Sequence, residues 1–151
     1  MAKKNRDKKK KNKDGLLLIK DVNETYNISE KEISDFANID YPIFSFKYLK
    51  DVSIDSCTDG SFFFNFLMRL RKLSELGWKT IFVTQRHGYG MEKLPVSQIV
   101  PREQLPSFVT REVSLDVFRS SGDKRTFVGI QQGKIFHIFF IEATFGDVCN
   151  H

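Results

Sequence analysis

The stretch Arg125-Thr126-Phe127-Val128-Gly129-Ile130-Gln131-Gln132-Gly133-Lys134-Ile135-Phe136-His137-Ile138-Phe139-Phe140-Ile141-Glu142 decides the fold of this chain. Two runs rich in aromatic and β-branched residues flank Gln132-Gly133, a pair suited to a tight turn, so residues 125–130 and 134–142 read as a hairpin. On the second strand Ile135, His137, Phe139 and Ile141 alternate with Phe136, Ile138 and Phe140. Both faces are apolar, which places that strand inside a sheet covered on two sides. His137 on such a face reads as a core histidine. Upstream, Val109, Val113, Leu115 and Val117 alternate with Thr110, Glu112, Ser114 and Asp116, the period of a half-buried strand. Ser120-Ser121-Gly122-Asp123 turns it into the hairpin, giving a three-strand meander.

Further upstream, Phe63, Phe66, Leu67, Leu70 and Leu73 recur at helical spacing and predict a helix over 61–76, with Thr58 or Asp59 as its cap. Arg69, Arg71 and Lys72 lie mostly off that stripe. Gly77 suits the helix end, where Trp78 can fold back on Leu73. Ile43–Leu49, after Tyr41-Pro42, and Lys79–Gln85 read as strands. Pro95, Pro101 and Pro106 make 94–107 a loop with one helical turn. Ser29-Glu30-Lys31-Glu32 has the capping-box pattern and predicts a short helix carrying Ile33 and Phe36. Leu16–Val22 reads equally as a short strand or a loose helix. The expected fold is α+β: a mainly antiparallel sheet with helices packed on one face and a C-terminal three-strand meander. The expected organisation is a basic tail over 1–14, an extension with a short helix over 15–40, and one α+β domain over 41–151.

The net charge of +5 is unevenly spread. Residues 1–14 hold eight basic residues against two acidic ones, while the remainder holds 16 basic and 17 acidic and is balanced. The tail has almost no apolar residue with which to offset its ordering entropy, so disorder is expected there. It reads as a solubilising arm, or as a tether in which Lys8, Lys9, Lys10 and Lys11 neutralise phosphates of RNA or DNA. Attraction to anionic lipid is a third reading. Leu16-Leu17-Leu18-Ile19 is too short for a secretory signal or a membrane span, so no membrane partner is expected. Cys57 and Cys149 stand far apart and in no CxxC pair, which argues against a disulfide framework or zinc site and fits a reducing cytoplasm. The 15 Phe among 151 residues supply the bulk of a core that needs no staple.

The densest chemistry lies in Arg86-His87-Gly88-Tyr89-Gly90-Met91-Glu92-Lys93. His87 suits general acid or base work near neutral pH, or is a turn histidine bonded to backbone. Arg86 suits bidentate phosphate binding, or an ion pair with Glu92, which is otherwise a partner base. Tyr89 reads as a stacking platform for a base, or as loop packing beside two glycines. Gly88 and Gly90 do not complete a phosphate loop. Arg125 either projects toward an anion or pairs with Asp123 or Asp116, and Lys93, Arg119 and Lys124 add positive charge. His87, His137 and His151 show no metal-ligand spacing, so neither a metal nor another cofactor is expected.

The run Phe118-Arg119-Ser120-Ser121-Gly122-Asp123-Lys124-Arg125-Thr126-Phe127-Val128, with the Gln132-Gly133 turn and Ile135-Phe136-His137-Ile138-Phe139-Phe140, resembles the C-terminal meander of RelE/ParE-type toxins. In that family a Gly-Asp-x-Arg turn leads into a strand, and a hairpin and hydrophobic strand follow. The order of strand 43–49 and helix 61–76 is also similar. The long Gln85–Ser107 segment, the early helix and the Lys-rich tail depart from the family.

The resemblance implies metal-free, ribosome-dependent cleavage of mRNA in a bacterial cytoplasm, and a small antitoxin protein as partner. In such cleavage a 2′-hydroxyl attacks the adjacent phosphate while cations stabilise the charge. Arg125 matches the family's strand arginine, and His151 loosely matches its terminal acid or base. The expectation is therefore a small endoribonuclease with His87, Glu92, Arg125 and His151 as catalytic candidates. The alternative is a non-enzymatic nucleic-acid- or protein-binding accessory protein of a mobile element or phage.

Overall fold

The computed structural model describes residues 38–55 and 58–151. The readings that fall on the tail 1–14, on Leu16–Val22, on the Ser29 capping box and on Cys57 lie outside the described residues. The chain divides into two units, Met1–Ile39 and Asp40–His151. Every strand and helix among the described residues belongs to the second unit.

The sheet of that unit has five strands: β1 (Ile43–Ser45), β2 (Glu92–Pro95), β3 (Ser114–Arg119), β4 (Thr126–Gln132) and β5 (Ile135–Ile141). They lie in the order β1-β5-β4-β3-β2. The β3-β4-β5 meander and the β2–β3 pair are antiparallel, while β1 runs parallel to β5. The expected α+β fold is present, with its meander. Among the described residues three α-helices accompany the sheet, α1 (Asp51–Asp55), α2 (Gly60–Leu76) and α3 (Trp78–Val83). Asp59 caps α2 by accepting a 2.9 Å hydrogen bond from the Ser61 amide, which satisfies one of the orphan donors of the first turn.

Phe66, Leu70 and Leu73 of α2 and Ile81 of α3 pack on Phe118, Phe127 and Phe136 from the three meander strands. The three phenylalanine rings meet each other at 5.1 to 5.7 Å between centroids, and Phe66 meets Phe127 edge-on at 5.2 Å. Leu115, Val117, Val128, Phe139 and Phe140 form a second cluster, covered by Val96, Ile99, Val148 and Cys149. β5 is thus an interior strand with apolar cover on both faces, as its composition demands.

The simple alternation expected along β5 breaks at Phe139. Val128 pairs with Phe140 but the next residue, Gly129, pairs with Ile138, so Phe139 is an extra residue. This bulge shifts the parity of the strand. Phe136, Ile138 and Ile141 consequently face the helices, while Phe139 and Phe140 both enter the second cluster. Gly129 sits beside the bulge, where a Cβ would lie only 1.9 Å from the His137 carbonyl oxygen. No other residue fits there.

Five local readings need correction. Lys79–Gln85 is not a strand: Trp78–Val83 is a short helix, with Trp78 and Ile81 buried one turn apart. Gly77, at φ 79°, reverses the chain and starts it, and the Trp78 amide donates to the Asp40 carbonyl at 2.6 Å. The β-branched composition of the segment is outweighed by that anchoring. The strand at Ile43 ends at Ser45 and turns back through Leu49. The strand expected from Val109 begins only at Ser114, because Pro106 and Thr110 accept turn hydrogen bonds from Val109 and Val113. Leu94 and Pro95, assigned to the loop over 94–107, belong with Glu92 and Lys93 to the edge strand β2. On α2, Leu67 is exposed, and Phe62 takes the buried place assigned to it.

Replacing Gly129 by Ala should lower the unfolding free energy by about 3 kcal/mol, the upper range for overpacking. Gly122→Ala, where a Cβ meets nothing within 4 Å, should stay within about 0.5 kcal/mol of the parent. Urea denaturation of the two variants checks the contrast.

Candidate nucleic-acid interface

The loop between α3 and β2 is built on glycine. The amides of Gly88 and Gly90 both donate to the Gln85 carbonyl, at 2.9 and 3.0 Å. A Cβ on Gly90 would fall 2.0 Å from the Thr84 carbonyl oxygen, so this tight loop excludes any side chain there. Arg86, at the loop's start, holds Glu92 of β2 through a 2.9 Å ion pair. Its Nε also approaches His87 Nε2 at 3.4 Å. These three predicted residues therefore form one contiguous, solvent-facing group.

Arg69 of α2 ties this loop to the sheet. Its Nη2 donates to the Gly88 carbonyl and its Nε to the Arg119 carbonyl at 3.2 Å. Its guanidinium lies 4.1 Å from the centre of the Tyr89 ring, a cation–π contact. Arg119 in turn donates to the Lys124 carbonyl at 2.6 Å, closing the β3–β4 turn. Both guanidiniums are held by neutral carbonyls, which fix their position without cancelling their charge. Asn65, Met68, Arg69, Lys72, Tyr89, Ser121 and Gly122 line a cleft of about 470 Å³ between α2, the loop and that turn.

Arg125 is engaged differently. It forms a fork-like pair with Asp123, Nε and Nη2 reaching Oδ2 at 2.9 and 2.7 Å. Its Nη1 donates to the Ala143 carbonyl at 2.8 Å, and its guanidinium lies over Phe62 at 4.3 Å. The pairing with Asp123 anticipated as one of its two readings is the one present. The hydrogen bond from Arg125 holds the Asp123 carboxyl below its ordinary range, against a smaller opposing effect of burial, and Asp123 raises the Arg125 guanidinium in return.

The other predicted groups lie apart from the cleft. Lys93 forms an ion pair with Asp116, a fully buried acid whose Oδ2 also accepts from the Gln131 amide at 2.8 Å. His151 is held by two contacts: its Nε2 meets Glu142 Oε1 at 3.0 Å and its ring stacks on Phe145 at 4.2 Å. Glu142, fully buried, accepts from the Val148 and Cys149 amides as well. Among the described residues, no hydrogen bond or ion pair joins His87 to Arg125. Lys8, Lys9, Lys10 and Lys11 lie outside the described residues.

The sequence places Arg69 and Lys72 mostly off the apolar stripe of α2 and assigns them no role. The available signal was their place on the border of the apolar stripe, where long cations reach around a helix. Among the described residues, no group of three or more His, Cys, Asp or Glu is placed to hold a metal ion. Nor is any described helix long and apolar enough to cross a membrane. No family model matches the chain, and comparison with curated proteins and with solved structures finds no match either.

Two outcomes test this geometry. The depressed Asp123 carboxyl contributes stability that is fully present above its unfolded value, near pH 4, and is lost as pH falls through its lower folded value. Asp123→Asn should therefore cost about 0.5–1 kcal/mol at neutral pH, as for a partly exposed pair, and should flatten the acid limb of stability below about pH 4. Separately, burial pushes the Cys149 thiol up to about 11. Peptide-resolved iodoacetamide labelling at pH 8 should leave Cys149 unmodified in native protein and alkylate it after unfolding.

Proposed function

We propose that this protein binds RNA, with the cleft beside α2 receiving the phosphate backbone. The observation that carries this reading is the clamping of Arg69 by the Gly88 and Arg119 carbonyls and the Tyr89 ring, with no carboxylate among these partners. Guanidiniums remain protonated in proteins, so one fixed positive charge, that of Arg69, lines a cleft that also presents the Lys72 ammonium, 3.7 Å from Glu75, the Asn65 amide and the Ser121–Gly122 turn. Fixed cations attract phosphate with little further ordering cost, and each phosphate neutralised releases counterions. The surplus of basic residues in 1–14 supplies sequence-independent affinity of the same kind. This is the non-enzymatic accessory reading, with the folded unit rather than the tail setting where the strand lies.

A second reading, metal-free RNA cleavage as in RelE-like toxins, is favoured by one observation. His87 and Arg86 stand on the same short loop whose Gly88 carbonyl anchors Arg69. With a strand in the cleft, neutral His87 would take the proton of a 2′-hydroxyl as its oxygen attacks the adjacent phosphorus. The P–O bond to the 5′-oxygen breaks, that oxygen is protonated by water, and a 2′,3′-cyclic phosphate remains. Arg86 and Arg69 would stabilise the added negative charge. The ribosome and a small antitoxin, implied by the resemblance, are the partners of this reading.

Fluorescence polarisation of a labelled single-stranded RNA against salt separates the outcomes. The full chain should bind with a steep salt dependence, and Lys72→Ala and Arg69→Gln should each weaken binding several-fold and flatten the logarithmic salt slope by about 0.7. If both variants bind as the parent does, while deletion of residues 1–14 abolishes binding, the cleft is not the site. Incubation with the same RNA in EDTA, followed by gel analysis, tests cleavage: intact RNA sinks the second reading, and new ends that vanish in His87→Ala support it.

A further inference from the structure

The segment between β2 and β3 borders a second cavity, of about 670 Å³, which shares no lining residue with the cleft beside α2. Val96, Leu105 and Val109 give it an apolar floor continuous with the second core cluster. Arg102, Glu103 and Arg111, all exposed, give it a charged rim. The walls are braced within the chain itself. The Pro101 and Pro106 carbonyls accept from the Gln104 and Val109 amides at 3.0 and 2.9 Å, and the Arg102 carbonyl accepts from the Leu105 amide at 3.2 Å. Ile99 is bridged to Cys149, and the Val100 amide donates to the Val148 carbonyl at 2.8 Å, which ties the segment to the residues after β5. A pocket formed in advance binds with little ordering cost.

The charges on the rim indicate what fits. Among the described residues, none of the three enters an ion pair. Arg102 directs Nη1 to the Ser97 carbonyl at 3.3 Å, and the Arg111 side chain makes no hydrogen bond among those residues. Guanidiniums present the fork that a carboxylate accepts in bidentate fashion. Two of them against one carboxylate leave a single net positive charge, which balances a singly charged acid. Glu103 repels a polyanion, whose successive phosphates would crowd it. The volume lies within the range of about 300–1,000 Å³ typical of small-molecule sites, where an apolar lining carries a few polar anchors.

We propose that this cavity binds a small organic monocarboxylate, with its apolar body on Val96, Leu105 and Val109 and its carboxylate between Arg102 and Arg111. The site is independent of the RNA-binding cleft.

Decanoate serves as the probe. Equilibrium dialysis of the full chain against labelled decanoate should show a single saturable site, and decanol, which lacks the charge, should bind about tenfold more weakly. Arg111→Gln, a change at an exposed position, should weaken decanoate binding about tenfold with an unchanged circular dichroism spectrum. Glu103→Gln should instead tighten binding several-fold, an effect of opposite sign that loss of structure cannot produce. In nitrogen-edited NMR spectra, decanoate should shift the amides of Ser97, Leu105 and Val109 and leave those of Tyr89 and Gly122 in place. Absence of saturable binding up to millimolar decanoate overturns the proposal, as does equal affinity for decanol or undiminished binding by Arg111→Gln. If single-stranded RNA displaces decanoate, the rim belongs to a polyanion surface and the monocarboxylate site is wrong.

Discussion

The close passage of Gly129 against the His137 carbonyl governs the sheet. Because Gly129 has no side chain, β5 can hold one residue more than β4 over the same length, and Phe139 becomes the surplus residue. Strict alternation would have put Phe140 under the helices and Ile141 on the opposite face. The bulge instead doubles the aromatic mass of the second cluster and leaves Phe136, Ile138 and Ile141 beneath α2 and α3. It also aims the Phe139 carbonyl at the chain that precedes α1, where the Lys50 amide donates to it at 2.9 Å. One missing methyl group thus sets which residues fill both cores and where the first helix attaches.

The candidate site depends on that core through a single helix. α2 is held over the meander by Phe66 and Leu70, and this fixes the base of Arg69 on its flank. From there one guanidinium reaches a loop carbonyl, a strand-end carbonyl and the Tyr89 ring. The Gly88–Gly90 loop has no regular structure of its own, so its place relative to the β3–β4 turn comes from this bridge. The loop's histidine and arginine are therefore positioned by a residue seventeen or more places earlier in the chain.

Much of the fold was legible because the strongest signals were periodic. The meander strands and α2 alternate or recur cleanly enough to reveal type, order and cap. What escaped was set by contacts between distant residues. Trp78–Val83 has strand-like composition, but its geometry is fixed by Gly77 and the Asp40 carbonyl. β2 has only four residues, one of them proline, and exists because β3 offers it an edge. Leu67 reads as core from spacing alone, since α2 has more apolar residues than one face can bury. In the site, the Arg86–Glu92 and Arg125–Asp123 pairs were visible as alternatives because each joins near neighbours. The Arg69–Gly88, Arg69–Arg119 and His151–Glu142 contacts join groups whose proximity only the folded chain reveals.

These contacts sort the arginines by what they can offer a ligand. Arg86 and Arg125 each face a carboxylate at hydrogen-bonding distance, and an incoming phosphate must compete with that anion for the same donors. Arg69 and Arg119 face carbonyl dipoles, which orient the guanidinium but leave its full charge to act on its surroundings. A dipole's field also falls off faster with distance than that of a charge, so of these two it is Arg69, which lines the cleft, that sets the potential there. An arginine that sequence patterning marks as strand-borne and functional can therefore serve mainly to shape a turn. One that the pattern places merely off an apolar stripe can keep its full charge beside a cleft. The difference lies in the partner of each guanidinium, and here those partners favour the flank of α2 over the mouth of the hairpin.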